Sequence, residues 1–401
     1  MAHVLGCMDE ITVIGGGLAG LTAAIACAEE RARVVLYEGH HTLGGRARSS
    51  AAPYIANDGT RVFYADGEPF QWLARRGLAQ PYRRLGLKEG RKARVRHRGK
   101  LKARVPRPLL AAIVRRGLVA PVDEDFRSWG VRRLGADATD AVAGILGVVT
   151  YDADPGRLSA AFVWERFRRA TAPQFPAPRY IVGGWGRVVD RMAAHARDLG
   201  VRIETGTHAD TLPAGPTIVA TSLDAARRLL ADESLRWESG RAVLLDLGVR
   251  RDPRDLFLLS DLDEGGFLER YSSPDPSLAP DGESLVQMQM PMRPGESKAD
   301  TLARLERVAD LGLPGWRDRV TWRREALANG RTGALDLPGV SWRDRPAIER
   351  GDGVWLAGDS VAAPGLLSEV SMRSALIAAE RAVASVSRPG TASRRSPAAG
   401  R

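Results

Sequence analysis

Hydrophobic and polar positions sort the chain into alternating blocks. Residues 11–14 (ITVI) form a run without charge, which predicts a short buried strand over Glu10–Ile14. A glycine-rich turn then opens onto Leu18–Glu30, where apolar residues return at the helical period, and Arg33–Tyr37 reads as a second strand ending at Glu38. From about 55 to 179 the regularity dissolves into mixed short strands and basic helices, punctuated by Pro173, Pro176 and Pro178; this predicts an inserted domain. Regular blocks resume after Gly183-Gly184, with a helix over Gly186–Leu199, strands over Val201–Glu204 and Thr217–Ala220, and a helix from Asp224 to Leu230. Strand-like runs at Ala242–Val249 and Ser284–Met290 precede an amphipathic helix over Lys298–Leu311. The last blocks are a strand over Gly353–Ala357 and a long helix over Ser368–Ser385.

This order predicts an α/β protein of two interleaved domains. Residues 1–55, 180–240 and 340–387 build a Rossmann-type nucleotide domain, and 56–179 with 241–339 build an inserted α+β substrate domain. The Ser/Pro/Ala/Arg tail, 388–401, is expected to be disordered.

Length and composition narrow the chemistry. At 401 residues with 44% apolar content, the chain is long enough for two domains and a sizeable core. No run approaches the ~20 apolar residues of a bilayer span, so a cytoplasmic protein is expected. The two cysteines, Cys7 and Cys27, offer neither a disulfide framework nor a CxxC pair, and no His/Cys/carboxylate spacing suggests a metal site. Redox work in this chain would need an organic cofactor. The net charge of +11 comes with only five lysines among 59 basic residues; such an arginine bias reads as compositional habit, and no nucleic-acid module accompanies it. One cluster survives that discount: residues 83–116 hold fourteen Lys/Arg against one Glu around the apolar run 108–114. A basic flank beside a short apolar helix can rest on an anionic membrane, and it can equally be a solvated surface with one core-facing turn.

Gly15, Gly17 and Gly20 form GxGxxG between the first strand and the first helix, with Leu18 and Ala19 opening that helix. The first glycine allows the turn, the second lets a pyrophosphate approach the backbone and the third lets helix and strand pack closely. Glu38, 23 residues after Gly15, ends the second strand where a carboxylate can bind both ribose hydroxyls and repel a 2′-phosphate. A dinucleotide site without NADP is predicted.

Six residues after Glu38 comes Gly44-Gly45-Arg46-Ala47-Arg48-Ser49, and near the C-terminus a strand ends in Gly358-Asp359 ahead of Ser368-Glu369-Val370-Ser371. With these blocks and Gly183-Gly184-Trp185-Gly186, the chain resembles the superfamily of phytoene desaturases, protoporphyrinogen oxidases and flavin amine oxidases. The resemblance implies a discontinuous, GR2-like domain binding FAD non-covalently. It places Gly44, Gly45 and Arg46 near the pyrophosphate and flavin, Asp359 at a ribityl or phosphate-proximal oxygen, and the backbone at Val370 and Ser371 at the flavin pyrimidine. It also implies hydride transfer from a small, apolar, terpenoid-like substrate to flavin N5. An oxygen-using amine or protoporphyrinogen-type oxidase is the alternative, and a non-catalytic flavin-binding protein is a third reading.

The sequence departs from this pattern in two places. Flavin amine oxidases carry a lysine near flavin N5, whereas Lys298, the only lysine in the C-terminal two-thirds, stands in a polar helix start and reads as a surface residue. Where relatives often have Gly-Pro-His, this chain has Gly59-Thr60-Arg61, which makes Arg61 a candidate catalytic residue, with a surface arginine as its equal alternative. No cysteine lies near the C-terminal motif, so a cysteinyl flavin link is excluded by inventory.

Overall fold

A computed structural model describes residues 10–59, 62–172 and 178–387. Arg61 and the 388–401 tail therefore lie outside the described residues.

The nucleotide domain is a six-stranded sheet in the order Glu349–Gly351, Val354–Leu356, Thr217–Val219, Ile11–Ile14, Val34–Glu38, Arg202–Thr205. All neighbours are parallel except the first pair. Helices cover the faces of such a sheet, so its central strands lose their polar/apolar alternation: Ile11–Ile14 and Thr217–Val219 are buried throughout. Helix Leu18–Glu29 packs on this sheet beside Gly186–Asp198 and Ser368–Ser387, and it buries nine of its twelve residues. Going from the first strand, the chain runs to Val34–Glu38 on one side, while Thr217–Val219 flanks it on the other. The carboxyl ends between these strands form the topological switch point where open α/β sheets bind ligands.

The sequence-predicted elements of this domain fall within a few residues of the observed ones, with one boundary corrected. Residues 63–79, assigned above to the inserted domain, put Phe63, Phe70, Trp72, Leu73 and Leu78 into the same core as the six-stranded sheet. Helix Glu68–Arg75 is short and strongly amphipathic, with four buried positions on one face, and only the nucleotide domain offers it an apolar partner.

The second sheet has seven strands in the order Val320–Ala334, Ser239–Arg250, Glu283–Pro291, Gly266–Glu269, Leu258–Asp261, Ala93–His97, Lys100–Lys102. Its outer face sets Leu245, Leu247, Met288, Leu268 and Leu259 against Leu305, Val308 and Ala309 of helix Lys298–Gly312. The inner face looks toward the nucleotide domain: an added Cβ at Gly248 would meet the Tyr54 ring at 2.3 Å. Helices Arg107–Val114, Phe126–Leu134, Ala136–Thr150 and Ala160–Ala170 share a third core around Phe126, Trp129, Trp164 and Phe167. Residues 55–179 mix short strands with helices as expected, with the short strands lying up to 102 and helices dominating from 107 to 170. The fifteen-residue strand Val320–Ala334 has no counterpart among the expected elements. It is a sheet edge whose positions 320–330 are all exposed or half-exposed, so its sequence lacks a sustained apolar run.

Candidate functional site

The site assembles at the carboxyl edge of the six-stranded sheet. Gly15 takes φ +107°, and an added Cβ there would meet the Ala220 carbonyl oxygen at 2.7 Å. At Gly20 a Cβ would lie 1.8 Å from the Gly15 carbonyl oxygen, so the turn and helix can close only on glycine. Gly17 is different: the nearest atom to an added Cβ is the Gly44 carbonyl oxygen at 4.0 Å. Packing does not fill the space over Gly17, and the helix that begins at Leu18 and Ala19 has no side chain capping its N-terminus. Its first amides and its dipole are therefore available to an anion.

Glu38 stands at this turn. Its Oε2 accepts from the Gly16 amide at 2.7 Å, and Oε1 accepts from the His40 amide at 2.9 Å and faces His40 Nδ1 at 2.8 Å. Burial opposes ionisation of this carboxyl, but the His40 and Gly16 hydrogen bonds outweigh it and hold its pKa below the usual range. A fixed carboxylate with acceptor capacity left on Oε2 suits a sugar hydroxyl.

The GGR loop closes over the same turn. The Gly44 amide donates to the Gly16 carbonyl at 2.7 Å, and Gly44 and Gly45 take φ +108° and +52°. From this loop Arg46 reaches across to Asp359, with Nη1···Oδ2 2.5 Å and Nη2···Oδ1 2.8 Å. Residues 313 positions apart in sequence thus form one bidentate pair. Gly358 extends the strand end beside Thr221. Asp359 also bounds Gly333 from the far end of the seven-stranded sheet, where an added Cβ would meet Leu367 at 3.3 Å and Asp359 Oδ2 at 3.5 Å. Both sheets therefore border the crevice.

At the start of the last helix, Val370 is 1% exposed in the domain core, and the Ser371 hydroxyl donates to the Leu367 carbonyl. The side chains of both residues are committed to packing, so only backbone groups of this turn can face a ligand. Lys298 is half-exposed and pairs with Glu325 at 3.0 Å on the outer-face helix, remote from the crevice, as its polar setting predicted.

Sequence reasoning missed a row of polar side chains, all buried except the half-buried Arg324, on the inner face of the seven-stranded sheet. Arg324, Asp246, Gln287 and Glu269 stand side by side on four strands. Arg324 donates to Asp246 at 2.7 Å and to the Asn57 carbonyl at 2.5 Å; Gln287 Nε2 donates to Asp246 at 3.0 Å and to the Asn57 carbonyl at 2.8 Å. The Asn57 side chain in turn accepts from Ser49 and from the Trp185 amide, both at 2.9 Å. The row therefore clamps the strand of chain leaving the GGR loop. Burial pushes the Asp246 carboxyl up to about 6 against the pull of Arg324. Glu269, held by the Tyr180 hydroxyl, is pushed by burial up to about 7. The available signal was polar residues recurring at alternate positions within an otherwise apolar strand run, as Gln287 and Gln289 do in 284–290.

Among the described residues no cluster of His, Cys, Asp and Glu could hold a metal ion. Burial raises the Cys27 thiol to about 12, which leaves it inert. No helix among the described residues is long and apolar enough to cross a membrane.

Residues 13–75 match the family model of NAD(P)-binding Rossmann-like domains. No curated protein matches the sequence. An oxidoreductase from Methanosarcina mazei superposes with a TM-score of 0.74 at 15% identity, covering 93% of this chain and all of its own (100%). Cyclohexylamine oxidase from Brevibacterium oxydans gives 0.72 at 17% identity, over 94% and 99%. Reduced UDP-galactopyranose mutase gives 0.70 at 14% identity, over 94% and 96%. The chain shares the fold of these proteins over nearly its whole length. In this chain the Rossmann crevice and the inner face of the second sheet border one another through the Gly333–Asp359 approach and the bonds of Asn57.

Proposed function

We propose that this protein is an FAD-dependent oxidoreductase acting on an organic substrate bound between its two sheets. The observation that carries this reading is the convergence of three separated motifs, GxGxxG, GGR and Gly-Asp, on one crevice through the Arg46–Asp359 pair. The uncapped helix behind the open face of Gly17 fits a pyrophosphate, and Glu38 fits the adenosine ribose hydroxyls. Arg46 and Asp359 stand further along the crevice, where a charged fork and its counter-ion can fix the ribityl and phosphate oxygens. FAD, when bound, supplies an N5 that accepts hydride from carbon. The protein's share is to orient the substrate and keep water out, and a buried, internally bonded wall such as the 246/287/324 row does both.

The absence of a lysine placed for amine-oxidase chemistry among the described residues of the site favours a desaturase- or dehydrogenase-like reaction on a largely apolar substrate. An oxygen-dependent amine or porphyrinogen-type oxidation is the competing reading, and rapid peroxide production by the reduced protein would favour it. The basic segment 83–116 fits an anionic membrane surface from which such a substrate is drawn. An absorption spectrum of the purified protein, followed by heat release and chromatography, tests the central claim. Released FAD is expected; colourless protein that refuses added FAD would sink it.

A further inference from the structure

Helix Ala160–Ala170 runs between the helical core and the start of the last helix, and it turns Arg169 and Arg166 toward that start. Arg169 is paired, with Asp66 at 2.9 Å and Glu369 at 3.2 Å. Arg166, one turn earlier, is only 6% exposed and makes no ion pair among the described residues. Its guanidinium carbon lies 3.3 Å from the centroid of the Phe162 ring, and Nη1 donates to the Phe162 carbonyl at 3.1 Å. Nε and Nη2 make no hydrogen bond among the described residues. That edge is the planar fork that meets a carboxylate side-on with two parallel bonds.

The carboxylates around Arg166 are already committed. Asp336 accepts both bonds of Arg345, at 2.9 and 2.7 Å, and Arg345 is itself 3% exposed, so a second cation stands beside Arg166. Glu369 serves Arg169 and the Leu366 amide; Glu165 is exposed. Burial, with the repulsion of Arg345, pulls the Arg166 pKa down to about 9. A cation removed from water without a counter-ion is costly, and a ligand that brings the charge removes that cost.

The position suits a substrate. Asp336, whose carbonyl accepts from the Ser159 amide at 3.0 Å just before this helix, follows Gly333 by three residues, and Gly333 borders Asp359 and Leu367. Arg166 thus stands on the substrate-domain side of the cofactor crevice. We propose that Arg166 docks the carboxylate of the substrate, an otherwise apolar organic acid. One unpaired guanidinium over an aromatic ring matches a monoanion with a hydrocarbon body better than a phosphate dianion. Naming that acid the substrate rests on the oxidoreductase reading above.

The full-length chain, titrated with octanoate and, as controls, octanol, octylamine and inorganic phosphate, tests this by thermal melting and by the spectrum of any bound flavin. Octanoate alone is expected to raise the melting temperature of the wild type saturably. The half-effect concentration should rise about tenfold or more in Arg166→Met and less in Arg166→Lys. Arg166→Met should melt no lower than the wild type without ligand, because the deleted charge had no counter-ion; Arg166→Lys supplies the comparison if Arg166→Met fails to accumulate. The proposal is overturned if octanoate leaves the wild type unmoved, stabilises Arg166→Met equally, or is matched by octanol, octylamine or phosphate. Colourless protein that still binds octanoate through Arg166 would remove the oxidoreductase reading and keep this site; yellow protein indifferent to octanoate would do the reverse.

Discussion

At the scale of single residues, the site is governed by which charges are paired. Glu269 is 4% exposed, bonded to Tyr180, and makes no ion pair among the described residues. Burial sets its folded pKa at about 7, above the ordinary glutamate value. Between those two values the folded state holds a proton that the unfolded chain has released, so stability is full below about pH 4 and falls as pH rises toward 7, by an amount of order 3 kcal/mol. Glu269→Gln keeps an acceptor for Tyr180 and removes the titration. It should flatten the dependence and melt above the wild type at pH 8; urea unfolding across pH 4–8 checks this, and a variant with the wild-type slope would refute it. Asp359 presents the opposite case. Asp359→Ala leaves Arg46 without its bidentate partner at a partly exposed site, with an expected loss of ~1–2 kcal/mol. It should also lower flavin retained through gel filtration, read as the ratio of visible to ultraviolet absorbance.

At the scale of elements, the turn into the first helix separates folding from binding within five residues. Gly20→Ala drives a Cβ to within 1.8 Å of the Gly15 carbonyl oxygen, and helix and strand must separate. This variant should lose soluble expression or melt far below the wild type. Gly17→Ala meets no protein atom nearer than 4.0 Å and keeps a helix-compatible φ of −77°. It should fold as well as the wild type when both lack flavin, and retain little of it, because its methyl fills the space a phosphate needs. Equal flavin content in Gly17→Ala and wild type would break the assignment of that space. The elements also differ in how legible they are. Ile11–Ile14, Leu18–Glu29 and Ser368–Ser387 announce themselves because both faces of a parallel sheet and the inner stripe of its helices must be apolar. Val320–Ala334 does not, because an edge strand needs apolar residues only where its partner Ser239–Arg250 covers it.

At the scale of the whole molecule, the nucleotide domain and the inner face of the seven-stranded sheet border the site, and the helical core carries part of the basic surface. In helix Arg107–Val114, Leu109 and Ala112 point into the helical core while Leu110 and Val114 are 46% and 85% exposed. Arg96 and Arg98 are neutralised by Asp261 and Asp137, but Lys100, Lys102, Arg104 and Arg107 make no ion pair among the described residues. Apolar residues standing in an unneutralised basic field match the interface of an anionic bilayer. The protein should therefore sediment with phosphatidylglycerol vesicles and not with phosphatidylcholine vesicles. Binding should weaken as salt approaches about 1 M, where the screening length shrinks to about 3 Å. Joint replacement of Lys100, Lys102 and Arg104 by Glu should abolish it, and equal binding to both lipids would rule out the charge-based account.

The sequence by itself determined the nucleotide half of this protein. Glycine spacing, the terminal Glu38 and the GGR and Gly-Asp motifs are local features, each tied to one turn or strand end, and a turn's backbone demands can be read from its own residues. Tertiary structure alone decided that Arg46 and Asp359 meet, that residues 63–79 join the nucleotide core, and that Asp246, Gln287 and Glu269 form one row. It also decided that Arg166 is a buried cation left without a counter-ion among the described residues, while Arg169 and Arg345, of the same type and nearby in the fold, are paired. Pairing and burial are properties of surroundings contributed by distant segments. A charged residue in an arginine-rich chain carries no local mark of whether the fold will give it a counter-ion.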